Sequence, residues 1–158
     1  MNIQFKAIER SNYRHFHKLM NDYYRDGEDK DTSQDIINDF INRLFSMIEQ
    51  KSMDGCLVRS DRRFIGFVLW MIDSTNSDFS ELPGYGTIAE IGLDSSYRGK
   101  GIGKKIVTYA ETQMKVSGIK GLYVLVYNQA KLFWESCGYS DIHKNGANGL
   151  PIFIKELR

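Results

Sequence analysis

Ser96-Tyr97-Arg98-Gly99-Lys100-Gly101-Ile102-Gly103-Lys104-Lys105 is the stretch on which the reading of the whole chain turns. Residues 87–93 before it, TIAEIGL, have the composition of a β segment. After it, Ile102, Ile106, Ala110 and Met114 fall at helical spacing, and Gly118 closes that helix. The decapeptide is therefore a strand-to-helix crossover. Its three glycines let the backbone come close to a ligand and turn several N–H groups toward one point. The helix N-terminus adds roughly half a positive charge, and Arg98, Lys100, Lys104 and Lys105 add full ones. Such a turn suits a phosphate or pyrophosphate. It is not a P-loop, which needs a glycine where Arg98 stands and a hydroxyl where Lys105 stands. It is not the dinucleotide fingerprint either, because its glycines run G-x-G-x-G. A basic turn with no ligand is the alternative at this point.

Outward from the crossover, the chain alternates strands and helices. Ile3, Phe5 and Ala7 alternate with Gln4 and Lys6, which predicts a half-buried strand. Ser11 is placed to cap a helix carrying Phe16, Leu19, Met20, Tyr23 and Tyr24, ended by Gly27. Thr32 or Ser33 caps a second helix with Ile37, Ile41, Leu44 and Ile48 on one face. Residues 56–59 and 64–72 form a hairpin around a turn at 60–63, and 73–86 read as a loop. Residues 122–127 predict an apolar strand and 130–136 a short helix. Two last strands, 139–144 and 151–157, are joined by the turn-rich 145–150. No internal repeat or linker interrupts this order, so one α+β domain spanning 1–158 is expected.

Composition narrows the class. A chain of 158 residues with 42% hydrophobic and 26% charged residues can bury a core without disulfides or metals. Cys56 and Cys137 form no CxxC pair, and three scattered histidines do not make a zinc site, so no metal is expected. The N-terminal residues do not read as a signal peptide, and the longest apolar stretch, 67–72, is far too short to cross a bilayer. These features predict a reduced, cytoplasmic protein with no membrane partner. The net charge of +1 hides a cancellation: residues 73–97 hold five acids and no lysine or arginine, whereas 98–120 hold six bases and one acid. The balanced total gives no reason to expect a nucleic-acid partner.

Residues 88–139 resemble the GNAT superfamily of acetyltransferases. The likeness rests on IAEIGLDSSYRGKGIG, whose Arg98-Gly99-Lys100-Gly101-Ile102-Gly103 fits the family crossover, and on AKLFWESCGY, where an aromatic helix leads into Gly138-Tyr139. The N-terminal part matches in element order. The resemblance implies a mixed, mostly antiparallel sheet of about seven strands flanked by helices, with a splayed parallel strand pair that binds acetyl-CoA. It implies that the pyrophosphate lies on the backbone of Gly99, Lys100, Gly101, Ile102, Gly103 and Lys104 beside Arg98. The pantetheine is implied along Ile91 and Leu93, and the Leu93 N–H would serve the oxyanion. Asn128 matches the family asparagine that touches the pantetheine arm, although the turn from Asn128 to Ala130 is one residue shorter than in the family pattern.

The implied chemistry is attack of a neutral amine on a thioester, so a base must take the ammonium proton. Glu90 stands where the family often has a glutamate; facing solvent or a neighbouring lysine is its alternative. The family often has a tyrosine general acid where this chain has Trp134, and indole has no useful acidity. Trp134 is left to line the cofactor channel or the core, and Tyr127 is the nearest replacement acid. Tyr24, Phe79 and Tyr85 are candidates to wall in the acceptor, with core packing as the other option. The acidic loops favour a cationic acceptor, a small amine or a peptide amine. The expectation is an acetyl-CoA-dependent N-acetyltransferase working by direct transfer in a ternary complex. A catalytically silent acyl-CoA-binding module is the alternative, motivated by Trp134. The sequence does not fix the assembly and leaves a homodimer open.

Overall fold

The computed structural model describes residues 2–27, 30–75 and 80–157. Its elements follow in the order β1 (Ile3–Ala7), α1 (Tyr13–Asp26), α2 (Gln34–Glu49), β2 (Asp54–Ser60), β3 (Arg63–Ile72), β4 (Gly86–Leu93), α3 (Ile102–Lys115), β5 (Gly121–Leu125), α4 (Lys131–Ser136), β6 (Ser140–Asn145) and β7 (Pro151–Glu156). The strands form one seven-stranded sheet in the order β1-β2-β3-β4-β5-β7-β6. The fold is α+β with a mostly antiparallel sheet. The pairs β1–β2, β5–β7 and β6–β7 are antiparallel, and β4–β5 is parallel, with Gly86 opposite Leu122 and Thr87 opposite Tyr123. A parallel neighbour needs a long crossover, and the connection through α3 supplies it.

Two compact units divide the chain, Met1–Leu69 with Glu90–Ile106 and Trp70–Ala89 with Val107–Arg158. In the first unit, Phe16 and Met20 of α1, Ile41 of α2, and Leu57, Val58 and Ile65 of the hairpin have no exposed surface. Ser33 caps α2 by accepting the Ile36 amide at 3.4 Å. The start of α1 differs from expectation. Ser11 lies in a 3-10 turn, Arg10–Asn12, and Asn12 is the cap residue. Asn12 is fixed by its own side chain, which accepts the Glu9 amide and donates to the Ala7 carbonyl, both at 2.9 Å. The β2–β3 turn is also tighter than four residues, because Asp61 takes a left-handed backbone (φ 54°) and two residues suffice.

The second unit is organised by buried polar groups. Asp73, 2% exposed, folds the loop after β3 back on itself. Its Oδ2 accepts the amides of Glu81 and Leu82 at 2.7 and 2.8 Å and the Tyr123 hydroxyl at 2.9 Å. Burial alone raises this carboxyl, but the hydrogen bonds more than offset that and hold it below the usual carboxylate range. Burial, and then the hydrogen bond and charge of Asp73, push the Tyr123 phenol up. Glu111 of α3 is 3% exposed. It accepts the Tyr139 hydroxyl at 2.7 Å and the Lys155 ammonium at 3.1 and 3.2 Å, and Lys155 also donates to the Cys137 carbonyl at 3.0 Å. This network ties α3, β7 and the end of α4 together. The strand β5 stops at Leu125, two residues short of the apolar run, though the Val126 amide still bonds the Pro151 carbonyl at 3.0 Å.

Candidate functional site

The crossover lies wholly in the first unit. β4 ends at Leu93, and a 3-10 turn, Ser95–Tyr97, is capped by Asp94, whose side chain accepts the Ser96 amide and hydroxyl at 2.9 and 2.7 Å. These bonds, with Arg63 3.1 Å away, hold the Asp94 carboxyl below its usual range. The Arg98 amide is already used, donating to the Ser95 carbonyl at 3.2 Å, and its side-chain Nε donates to the Leu93 carbonyl at 3.1 Å. Gly99 and Gly101 then take left-handed backbones, φ 76° and 80°. A Cβ at either would meet nothing within 4 Å. The glycines are therefore required by backbone conformation and not by crowding.

α3 starts at Ile102, and the Lys105 amide reaches back to the Gly101 carbonyl at 3.4 Å. The amides of Ile102, Gly103 and Lys104 belong to the first turn, where a helix has no acceptors for them. Arg98, Lys100, Lys104 and Lys105 are exposed around it. Lys100 and Arg63 flank the Tyr97 ring, with Nζ at 5.6 Å and the guanidinium carbon at 5.9 Å from its centroid. A turn with two left-handed glycines, outward helix amides and exposed cations fits the pyrophosphate of a nucleotide cofactor.

The carboxylate of Glu90 lies on the last half of β4 and is half-buried. Tyr24 of α1 donates its hydroxyl to Glu90 Oε1 at 2.9 Å. Side chains alternate along a strand, so Gly92 shares the face of Glu90. A cavity of about 130 Å³ is lined by Leu19, Asp22, Tyr23 and Asp26 of α1, Phe67, Gly92 and Arg98. Three acids line it, Asp22, Asp26 and Asp94. Asp22 is bridged by Lys18 at 2.7 Å, and Asp94 by Arg63 at 3.1 Å.

The expected residues of the first unit thus gather on one strand and the turn that follows it: Glu90, Ile91, Leu93 and residues 98–104, with Tyr24 joined to Glu90. Tyr24 is buried, at 9% exposure. The others lie in the second unit. Trp134 is 5% exposed and sits edge-on between Phe133 and Tyr139. Tyr127 is 40% exposed, and Asn128, in the 3-10 turn Asn128–Ala130, is exposed. The Tyr85 ring packs against Gly121. Phe79 falls outside the described residues. The sequence reading did not single out Gly92. A glycine inside a strand signals close approach of a neighbour, and that signal was there to be read. Among the described residues, no group of three or more His, Cys, Asp or Glu side chains is placed to hold a metal ion, and no helix is long and apolar enough to cross a membrane.

No curated protein matches the sequence at a significant level. Solved structures match the fold over nearly the whole chain. The PaiA N-acetyltransferase of Thermoplasma acidophilum, solved with coenzyme A, superposes with a TM-score of 0.75 at 16% identity, covering 99% of this chain and 100% of that one. A GNAT-family acetyltransferase of Staphylococcus aureus Mu50 gives 0.77 at 14% identity, covering 99% and 100%. Glucosamine-6-phosphate N-acetyltransferase of Arabidopsis thaliana gives 0.68 at 20% identity, covering 93% and 97%. At these identities the likeness speaks for the fold alone. The family model of the GNAT acetyltransferases matches residues 13–139, most of the chain, and the chain belongs to that family.

Proposed function

We propose that the protein is an N-acetyltransferase that moves an acetyl group from acetyl-CoA to a primary amine by direct transfer in a ternary complex. The observation that carries this reading is the run of β4 from a half-buried, tyrosine-bonded Glu90 straight into the left-handed glycine turn at the head of α3. Residues 99–104 are the proposed pyrophosphate seat, with Arg98 beside it. Ile91 and Leu93 are proposed for the pantetheine, and Asn128 and Trp134 on the family pattern. Bound acetyl-CoA supplies the acetyl group as a thioester. Glu90 takes the proton of the incoming ammonium, and the Leu93 N–H is a donor where negative charge develops. Tyr127 is the proposed proton donor for the leaving sulfur.

The acceptor is proposed to approach from the side of α1, where the cavity beside Gly92 lies on the face of Glu90. A small cationic amine or a peptide amine is the proposed class, with Tyr85 and Phe79 as proposed contacts. The structural neighbours do not select an acceptor: one of them is named for glucosamine-6-phosphate. The whole chain is proposed to act as one transferase domain, cytoplasmic and homodimeric, without metal, nucleic-acid or membrane partners.

The test is thiol release from acetyl-CoA with a panel of spermidine, kanamycin, glycinamide and a short peptide. Glu90→Gln is expected to lower kcat about 10²–10⁴-fold while coenzyme A still binds. Measured coenzyme A binding without release for any amine would overturn the enzyme reading. It would favour the second one, a silent acyl-CoA-binding module. The observation behind that second reading is Trp134, buried where the family often has a tyrosine acid.

A further inference from the structure

We infer that Tyr24 is a positioning residue for Glu90, holding the carboxylate in the one orientation from which it takes the acceptor's proton; this rests on the reading of Glu90 as the base. The sequence placed Tyr24 among the residues walling in the acceptor. Its position fits a second role. It is buried, at 9% exposure, and its hydroxyl is spent on Glu90 Oε1 at 2.9 Å.

The ring has little freedom to move. It meets Phe40 of α2 edge-on at 5.5 Å and Tyr23 at 5.2 Å, and Tyr23 stands edge-on to Phe67 of β3 at 5.6 Å. A chain of four aromatic rings therefore runs from α2 through α1 to β3 and fixes where the hydroxyl points. Gly92 lets α1 come close to the sheet, and Gly66 lets the β4 backbone come close to β3. A Cβ at Gly92 would lie 2.5 Å from Phe67 Cε1 and 3.2 Å from Tyr23 Cδ2, and one at Gly66 would lie 2.5 Å from the Gly92 carbonyl oxygen. A side chain at Gly92 pushes Tyr23 and Phe67 away, and with them the helix that carries Tyr24, whereas one at Gly66 runs into the β4 backbone. The strand thus gives up side chains next to Glu90, and α1 comes close enough to reach it. A half-buried glutamate with three side-chain torsions otherwise samples several rotamers, and a base held out of line loses rate steeply: about 1 Å of misplacement can cost a hundredfold.

The experiment is a double-mutant cycle with acetyl-CoA and whichever panel amine turns over fastest. Tyr24→Phe keeps the ring and removes the hydroxyl. It is expected to lower kcat roughly ten- to a hundredfold. The KM for acetyl-CoA and the melting temperature should stay near those of the parent. In the Glu90→Gln background the same change is expected to alter kcat less than about twofold, since groups acting as one unit are not additive. An equal loss in both backgrounds, or a raised amine KM at unchanged kcat, overturns the inference and returns Tyr24 to the acceptor wall. Undiminished kcat in Glu90→Gln, or no turnover with any amine, overturns the base reading and this inference with it. Should Tyr24→Phe fail to fold, 3-fluorotyrosine at position 24 takes its place. It keeps the seat and changes only the hydroxyl's acidity. It must therefore move kcat when Glu90 is present and leave kcat unchanged in the Glu90→Gln background.

Discussion

Glu90 in the first unit and Glu111 in the second each accept a hydrogen bond from a tyrosine, Tyr24 at 2.9 Å and Tyr139 at 2.7 Å. Their surroundings then part. Glu111 is 3% exposed and also takes the Lys155 ammonium on both oxygens. Burial, then the charge and hydrogen bond of Glu111, push the Tyr139 phenol well above its ordinary range, so it stays protonated and keeps donating. Glu90 is half-buried, and Gly92, two residues along its strand, lines a cavity. A carboxylate locked between a cation and a phenol is spent on holding elements together. One held by a phenol next to open space is oriented and still reachable. The difference teaches that a buried acid is read for function by what it leaves accessible, not by having a partner.

The comparison breaks if the two glutamates respond alike. Glu90→Gln should give the largest effect in the molecule, the loss in kcat of about 10²–10⁴-fold, with a melting temperature close to the parent's. Glu111→Ala should do the reverse. It strands the Tyr139 hydroxyl and leaves Lys155 with only the Cys137 carbonyl, and breaking such a pair costs about 3 kcal/mol, the low end of the range because Lys155 is partly exposed. Denaturant melts should show that loss, and the folded fraction should retain near-parental kcat. A Glu111→Ala variant with full stability and no activity would reverse the assignment of roles.

The part of this arrangement visible in the sequence is local. Gly99, Gly101 and the four cations of residues 98–105 lie within one crossover, and helical spacing marks α3 directly, so both the fold class and the glycine turn can be read from one stretch. What stayed hidden depends on distant partners. Tyr24 and Glu90 are 66 residues apart, Tyr139 and Glu111 28, and Lys155 and Glu111 44. No periodicity announces such pairs. Counting acids in residues 73–97 likewise cannot see that Arg63 pairs with Asp94 from the neighbouring hairpin. At α1 a local rule gave the wrong residue, because Ser11 and Asn12 both suit a cap and only the Ala7 and Glu9 backbone contacts decide between them.

Glycines sharpen the contrast between the units at smaller scale. Gly99 and Gly118 have similar left-handed backbones, φ 76° and 69°, and neither would crowd a Cβ. Alanine costs about 1–2 kcal/mol in that conformation at either place. At Gly99, where an exposed turn can relax until a ligand demands the conformation, the cost should emerge as weaker coenzyme A binding, roughly tenfold by calorimetry. At Gly118 the same cost should appear in the melting temperature and leave the coenzyme A affinity unchanged. Equal affinities in the two variants would separate the turn from the cofactor.

The smallest expected effect lies in the pH dependence of the second unit. Asp73 is held below the ordinary carboxylate range by the Glu81 and Leu82 amides and by Tyr123. A carboxyl lowered on folding contributes stability that is complete above its unfolded pKa, about 3.9, and disappears as pH falls through the lower folded value. Melting temperature should therefore decline below about pH 4 more steeply in the parent than in Asp73→Asn, which has no proton to gain. At neutral pH the variant should be less stable by about 1–2 kcal/mol, because an amide is a weaker acceptor for two backbone N–H groups than a carboxylate. The proposed base, Glu90, sits in the other unit, so kcat at neutral pH should not follow this substitution. Parallel declines of the parent and Asp73→Asn as pH falls from about 5 to about 2.5 would mean that the loop is held by its backbone bonds, Asp73 N–H to the Tyr85 carbonyl and Gly84 N–H to the Asp73 carbonyl, and that the charge adds nothing.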